Sequence, residues 1–132
     1  MRTFAVRLLP GQDLKGELIA LTEREGIQAG WVLTCVGSLS RAVLRLAGGG
    51  EHATREEPLE IVSLVGTLST SGSHLHLSVA DARGGTFGGH LADGCAVRTT
   101  AEVVVASDTR MRFTREHDPG TGYDELVVHD RA

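Results

Sequence analysis

Apolar and polar positions alternate from the start of the chain. Phe4, Val6 and Leu8 share one side of residues 3–9, with Arg7 on the other, which is the period of a half-buried strand. Pro10-Gly11 breaks that pattern, and Asp13 then stands as a helix N-cap before Leu14, Leu18 and Leu21 at helical spacing. Gly26 is a natural stop, with Ile27 placed to pack back on the last turn. Beyond it the period changes to that of strands. Residues 31–36 and 42–46 flank Gly37-Ser38-Leu39-Ser40, read as a short reversal. Residues 48–58 open with three glycines and read as a polar surface loop without chemistry of its own. Residues 59–68 form a further strand, and 73–81 with 86–91 form a hairpin around Arg83-Gly84. Residues 99–107 are strongly β-branched, 111–114 and 126–128 are short final strands, and 116–122 is a polar turn region.

One helix and about seven strands do not form repeated βαβ units, so the parallel-sheet classes lose. The expectation is an α+β fold: a mostly antiparallel β-sheet with one main helix packed against it. The 132 residues favour a single domain, 1–132, with no internal repeat and no linker. Such a sheet has two faces and two edges, and one helix cannot cover both faces, so the chain needs partners.

Composition narrows the function. Apolar residues make up 41% and charged residues 23%, a globular balance in which scarce aromatics leave the core to Val, Leu, Ile and Ala. The formal net charge of -4 argues against a domain that grips nucleic acid by phosphate neutralisation alone. Cys35 and Cys95 lie far apart and form no CxxC pair, which suits two small buried hydrophobes in a reducing compartment. Met1-Arg2-Thr3-Phe4 runs straight into strand alternation, with no signal peptide and no apolar stretch of membrane-spanning length. The expected location is the cytoplasm, with no membrane partner.

The distinctive chemistry is a histidine constellation. In a strand, His74 and His76 point to the same face, about 6.6–6.8 Å apart along the chain. If residue 83 is the midpoint of the hairpin, His90 lies opposite His76 and joins the pair on one face. A two-residue turn at Arg83-Gly84 would instead oppose Leu91 to His76 and turn His90 away, unless a bulge at Gly88-Gly89 restored the facing. Three neutral imidazoles around a divalent ion leave a fourth position open, the arrangement of a catalytic or binding zinc rather than a closed structural one. The competing reading is three surface histidines on a polar strand face. Glu102, inside the apolar run Ala101 to Val105, is a candidate orienting or acid-base group. Its competing reading is an edge-strand charge, or an ion pair with Arg98 or Arg45. No G-x-S-x-G elbow and no phosphate loop occur.

Taken together, Gly37-Ser38-Leu39, the run from Gly72 to Asp81, Gly84, Gly88-Gly89-His90-Leu91 and Ala101-Glu102-Val103-Val104 resemble the plants-and-prokaryotes conserved domain, also called domain of unknown function 296. The opening Val6 to Leu14 is similar too, so the resemblance spans about residues 3–129. It implies a homotrimer, and three histidines sitting together as in prokaryotic members. Plant members join the domain to an AT-hook that grips DNA and generally lack these histidines; this chain has the histidines and no Arg-Gly-Arg-Pro core. The fold so implied is also similar to that of acetolactate decarboxylase, which holds zinc with three histidines, a likeness that carries no substrate.

The leading expectation is therefore a trimeric metal-binding domain, with zinc as the first metal, His74, His76 and His90 as ligands, and an open site for a small molecule. The alternative is a DNA-associated regulatory protein, the role suggested by plant members.

Overall fold

The computed structural model describes residues 1–131. In chain order the elements are β1 (Arg2–Leu8), α1 (Leu14–Arg24), β2 (Gly30–Leu39), β3 (Ala42–Arg45), β4 (His52–Arg55), β5 (Leu59–Leu68), β6 (His74–Ala80), β7 (Thr86–Leu91), β8 (Val97–Ser107), β9 (Met111–Asp118) and β10 (Tyr123–Asp130). Eight strands form one sheet in the order β1-β8-β2-β5-β6-β7-β3-β4, and β9 and β10 form a separate two-stranded sheet. Every strand pair is antiparallel. The class is the expected α+β.

The helix starts where its cap predicts. Asp13 accepts a hydrogen bond from the Gly16 N–H at 2.8 Å, and its second oxygen accepts the Gly94 N–H at 2.7 Å. One carboxylate thus caps the helix and ties it to the turn between β7 and β8. Gly26, with φ of +62°, ends the helix, and the Ile27 N–H donates to the Thr22 carbonyl. Leu14, Leu18 and Leu21 bury into one cluster with Leu64, Leu68, Leu75, Leu77, Val103 and Val105, which are the alternate residues of the central strands. The helix covers that face of the sheet.

Three local expectations give way. Gly37-Ser38-Leu39 is no reversal: β2 continues to Leu39, and β3 pairs with β7 and β4 rather than with β2. A Cβ on Gly37 would collide with the Thr100 carbonyl, so this glycine serves a close approach inside the sheet. The supposed loop at 48–58 contains β4, a short polar edge strand. The final strands run far beyond 111–114 and 126–128, and only residues 119–122 separate them.

Candidate metal centre

The hairpin β6–β7 sets the centre. Its loop, residues 81–85, is closed by Asp81, whose carboxylate accepts the N–H groups of Arg83 and Gly85 at 2.9 Å each. Those backbone donors hold the Asp81 carboxyl below its ordinary range. Five loop residues put the midpoint at residue 83, so His76 stands directly opposite His90. The register from His76 to Ala80 is continuous, so Gly88 and Gly89 make no bulge. They admit close neighbours instead: a Cβ on Gly88 would lie 2.6 Å from the Leu77 carbonyl oxygen, and one on Gly89 2.6 Å from that of Arg45.

His74 and His76 alternate with the buried Leu75 and Leu77, so both rings stand on the sheet face away from the helix. His90 joins them there, half-buried. The His76 Nε2 and His90 Nδ1 atoms are 3.1 Å apart, and one ring nitrogen from each of the three lies within 4.8 Å of the others. His74 stacks on His90 with centroids 5.5 Å apart, while His76 meets both edge-on.

This donor set fits a metal ion. Ligand nitrogens about 2.0–2.1 Å from a tetrahedral zinc stand roughly 3.3 Å from one another. The His76–His90 pair has that spacing, and the widest spacing needs only a modest ring movement. Partial burial is the main cause that pushes the pKa of His74 and of His90 below the ordinary value. For His74 the His76 ring and then Arg115 add to the fall, and Glu125 opposes it; for His90 the next contributor is Arg45. Both effects favour the neutral imidazole that ligates.

Glu102 is not part of this group. It is exposed on β8, facing Arg7 across the β1 pairing and Val36 across the β2 pairing. Strands β2 and β5 separate β8 from β6, about 14 Å at ordinary strand spacing. Arg45, considered above as its ion-pair partner, instead lies directly opposite His90 on β3. The carboxylate that acts on His74 is Glu125, half-buried on β10. Cys95 is buried in the core, where its Sγ receives the Val43 N–H at 3.2 Å, and burial raises its pKa. Cys35 is pushed up to about 11 by the same cause, so both stay protonated thiols.

His74 and His90 open onto two adjoining cavities of about 420 and 720 Å³, which also share Arg45 and Ser73. The larger is closed on its far side by Arg115, Tyr123, Asp124 and Glu125 from the β9–β10 hairpin. Nothing in the hydrophobic pattern of 111–128 signals this. Those residues reach the centre through tertiary packing: the Arg115 N–H donates to Ser71 Oγ at 3.2 Å, and its guanidinium donates to Thr67 Oγ1 at 2.8 Å.

Comparison with known proteins follows the same outline. The family model of the Plants and Prokaryotes Conserved (PCC) domain matches residues 1–109. The chain is 54% identical over its full length to part of the bifunctional protein GlmU of Synechococcus sp. (strain JA-3-3Ab) and spans about a fifth, 21%, of that relative. Among solved structures, a hypothetical protein from Salmonella cholerae-suis is 40% identical with a TM-score of 0.97, over 99% of this chain and 95% of that one. A metal-containing protein from Archaeoglobus fulgidus is 28% identical with a TM-score of 0.76, over 96% and 94%. A candidate DNA-binding protein from Bacteroides thetaiotaomicron is 22% identical with a TM-score of 0.86, over 95% and 91%, which shows a shared fold. With the family model matching residues 1–109, the chain belongs to the Plants and Prokaryotes Conserved domain family.

Proposed function

We propose that this chain is a homotrimeric metal-binding domain in which His74, His76 and His90 hold one divalent ion, zinc first, at a site open to a small molecule. The observation that carries the reading is the convergence of three imidazole nitrogens within 4.8 Å on one face of a hairpin. Such a set suits zinc, nickel, copper or iron rather than magnesium or calcium. The metal found in the Archaeoglobus fulgidus relative supports it. A bound ion with three protein ligands would polarise a carbonyl or activate water.

The chain's own residues do the rest. Partial burial lowers the pKa of His74 and of His90, which favours their neutral, ligating form. The Glu125 carboxylate, in place of Glu102, is the group positioned to hold or move a proton beside His74. The glycine-led loop at 48–49 and the β9–β10 hairpin bound the space a ligand would occupy.

The number three comes from the family resemblance, and self-association rests on a second observation. Leu33, Val36, Val62 and Val65, on the adjacent central strands β2 and β5, are each at least half exposed on the face the helix leaves bare. Aliphatics at the middle of a wide sheet call for cover, and copies of the same chain supply it. Val65 stands directly opposite His76, so that contact would reach the rim of the site.

The test is the metal content of purified native protein beside its mass in solution. One ion per chain in a trimer is the expected result. Metal-free protein that refuses zinc, nickel and iron on reconstitution would return the histidines to an ordinary polar strand face.

A further inference from the structure

We propose that the three-histidine site takes a small carboxylic acid, bound as its monoanion between Arg45 and Arg115. This names the ligand class for the metal-site reading above and rests on it.

The two guanidiniums bracket the histidines across the sheet. Arg45 lies directly opposite His90 in the β3–β7 pair. On the other flank, Thr67 lies directly opposite His74 in the β5–β6 pair, and the Arg115 guanidinium is fastened to Thr67 by a 2.8 Å hydrogen bond. Gly72 makes room for that side chain, since a Cβ there would stand 3.1 Å from the Arg115 Cγ. The order across the face is thus Arg115, His74 and His76, His90, Arg45.

Neither guanidinium is spent elsewhere. Among the described residues the arginines in ion pairs are Arg24, Arg41, Arg55 and Arg110. Arg45 and Arg115 both line the larger cavity with His74 and His90. A guanidinium carries five N–H donors, and one bond to Thr67 leaves Arg115 several to offer. Planar, forked donors of this kind match a carboxylate edge to edge.

The same cavity also contains Asp124 and Glu125. Their charges select among oxyanions. A phosphate group carries about 1.5–2 negative charges at neutral pH and is repelled by both, whereas a carboxylate carries one. The two guanidiniums and the two carboxylates cancel, so an anion is drawn by the divalent ion and by the arginine fork it meets, and a carboxylate meets that fork in plane. A carboxylate bearing a neighbouring hydroxyl satisfies both halves: the acid group meets an arginine and an oxygen faces the histidines.

The experiment titrates glycolate, glycolamide and inorganic phosphate into zinc-reconstituted protein, read by NMR shifts of the arginine side-chain N–H groups. Glycolate should bind, with glycolamide and phosphate each at least about tenfold weaker. Arg45→Gln and Arg115→Gln should each lower glycolate affinity roughly 10- to 100-fold, the scale of a lost charge-assisted pair, with zinc content unchanged. Equal glycolate affinity in both variants, tighter phosphate binding, or no glycolate binding by the wild type would overturn the proposal. If the wild type takes up no zinc, the metal reading fails by itself. Glycolate added to metal-free protein then decides the arginine pair: shifts at Arg45 and Arg115 support it, and their absence refutes it.

Discussion

At the scale of single residues, the three histidines differ from ordinary surface histidines only in convergence. Each alone is a polar residue on a strand face. Replacing any one of them with Ala should lower metal affinity by more than the roughly 10- to 100-fold that loss of an outer-shell partner costs. The strands should survive, because the buried side of the hairpin belongs to Leu75, Leu77 and Val79. Metal stoichiometry on the wild type and three variants checks this, and equal content in all four would defeat it. Protons compete for the same nitrogens. Since His74 and His90 titrate below their ordinary 6.5, metal uptake should hold through neutral pH and fall off below that value. The metal-free fold should follow in the same direction. The unfolded chain takes up protons first, so stability declines as pH drops from about 6.5 through the lower folded values. The loss is small because both rings touch water. Metal uptake measured from pH 8 to 5 should show the decline; uptake rising on acidification would contradict it.

At the scale of elements, the hairpin was legible and its surroundings were not. The pairing of His76 with His90 about residue 83 was one of two registers open to the sequence, and the five-residue loop decides for it, because register in a hairpin follows from loop length. Arg115 and Glu125 could not be found this way, since β9–β10 is local to itself and meets the site only through packing. Strand β4 was hidden because His52-Ala53-Thr54-Arg55 has no apolar alternation; it is an edge. Glu102 looked special as a charge among valines, but the sheet's bare face explains it as it explains Val36 beside it. One glycine shows how tightly the β5–β6 pair is built. Gly66, with φ of +149°, stands opposite Leu75, and a Cβ there would collide with the His74 carbonyl oxygen. Gly66→Ala should cost roughly 2–4 kcal/mol from backbone strain and displacement together. It should also move His74 enough to weaken metal binding. Thermal unfolding and metal titration on the same variant test this; a melting temperature within a degree of wild type would show that the strands yield freely.

At the scale of the whole molecule, charge and exposed surface point the same way. A net charge of -4 leaves little attraction for phosphates. This chain alone should show no tight, sequence-selective DNA binding at physiological salt, and any binding at low salt should vanish steeply as salt is raised. Gel-shift titration across 50–200 mM salt decides it, and nanomolar selective binding at the upper end would reverse the expectation. No helix among the described residues is long and apolar enough to cross a membrane. The bare patch of Leu33, Val36, Val62 and Val65 should instead hold copies together, so Val36→Lys with Val65→Lys should yield monomers in sedimentation while the core stays intact.

The placement of all three histidines within one hairpin bears on the order of events as the chain folds. His76 and His90 are 14 residues apart, whereas β1 must find β8 across nearly the whole chain, Leu8 meeting Ala101. Closing the short loop sacrifices far less chain entropy than closing the long one, so the hairpin is the cheap early step and the β1–β8 and β2–β8 pairings are the late ones. An ion that bridges β6 to β7 would then stabilise the barrier crossing as well as the finished fold. Stopped-flow refolding should accelerate when zinc is present and should not when His90 is Ala. Zinc that left the refolding rate unchanged and only slowed unfolding would place the hairpin's closure after the barrier, with the long-range strands as the nucleus.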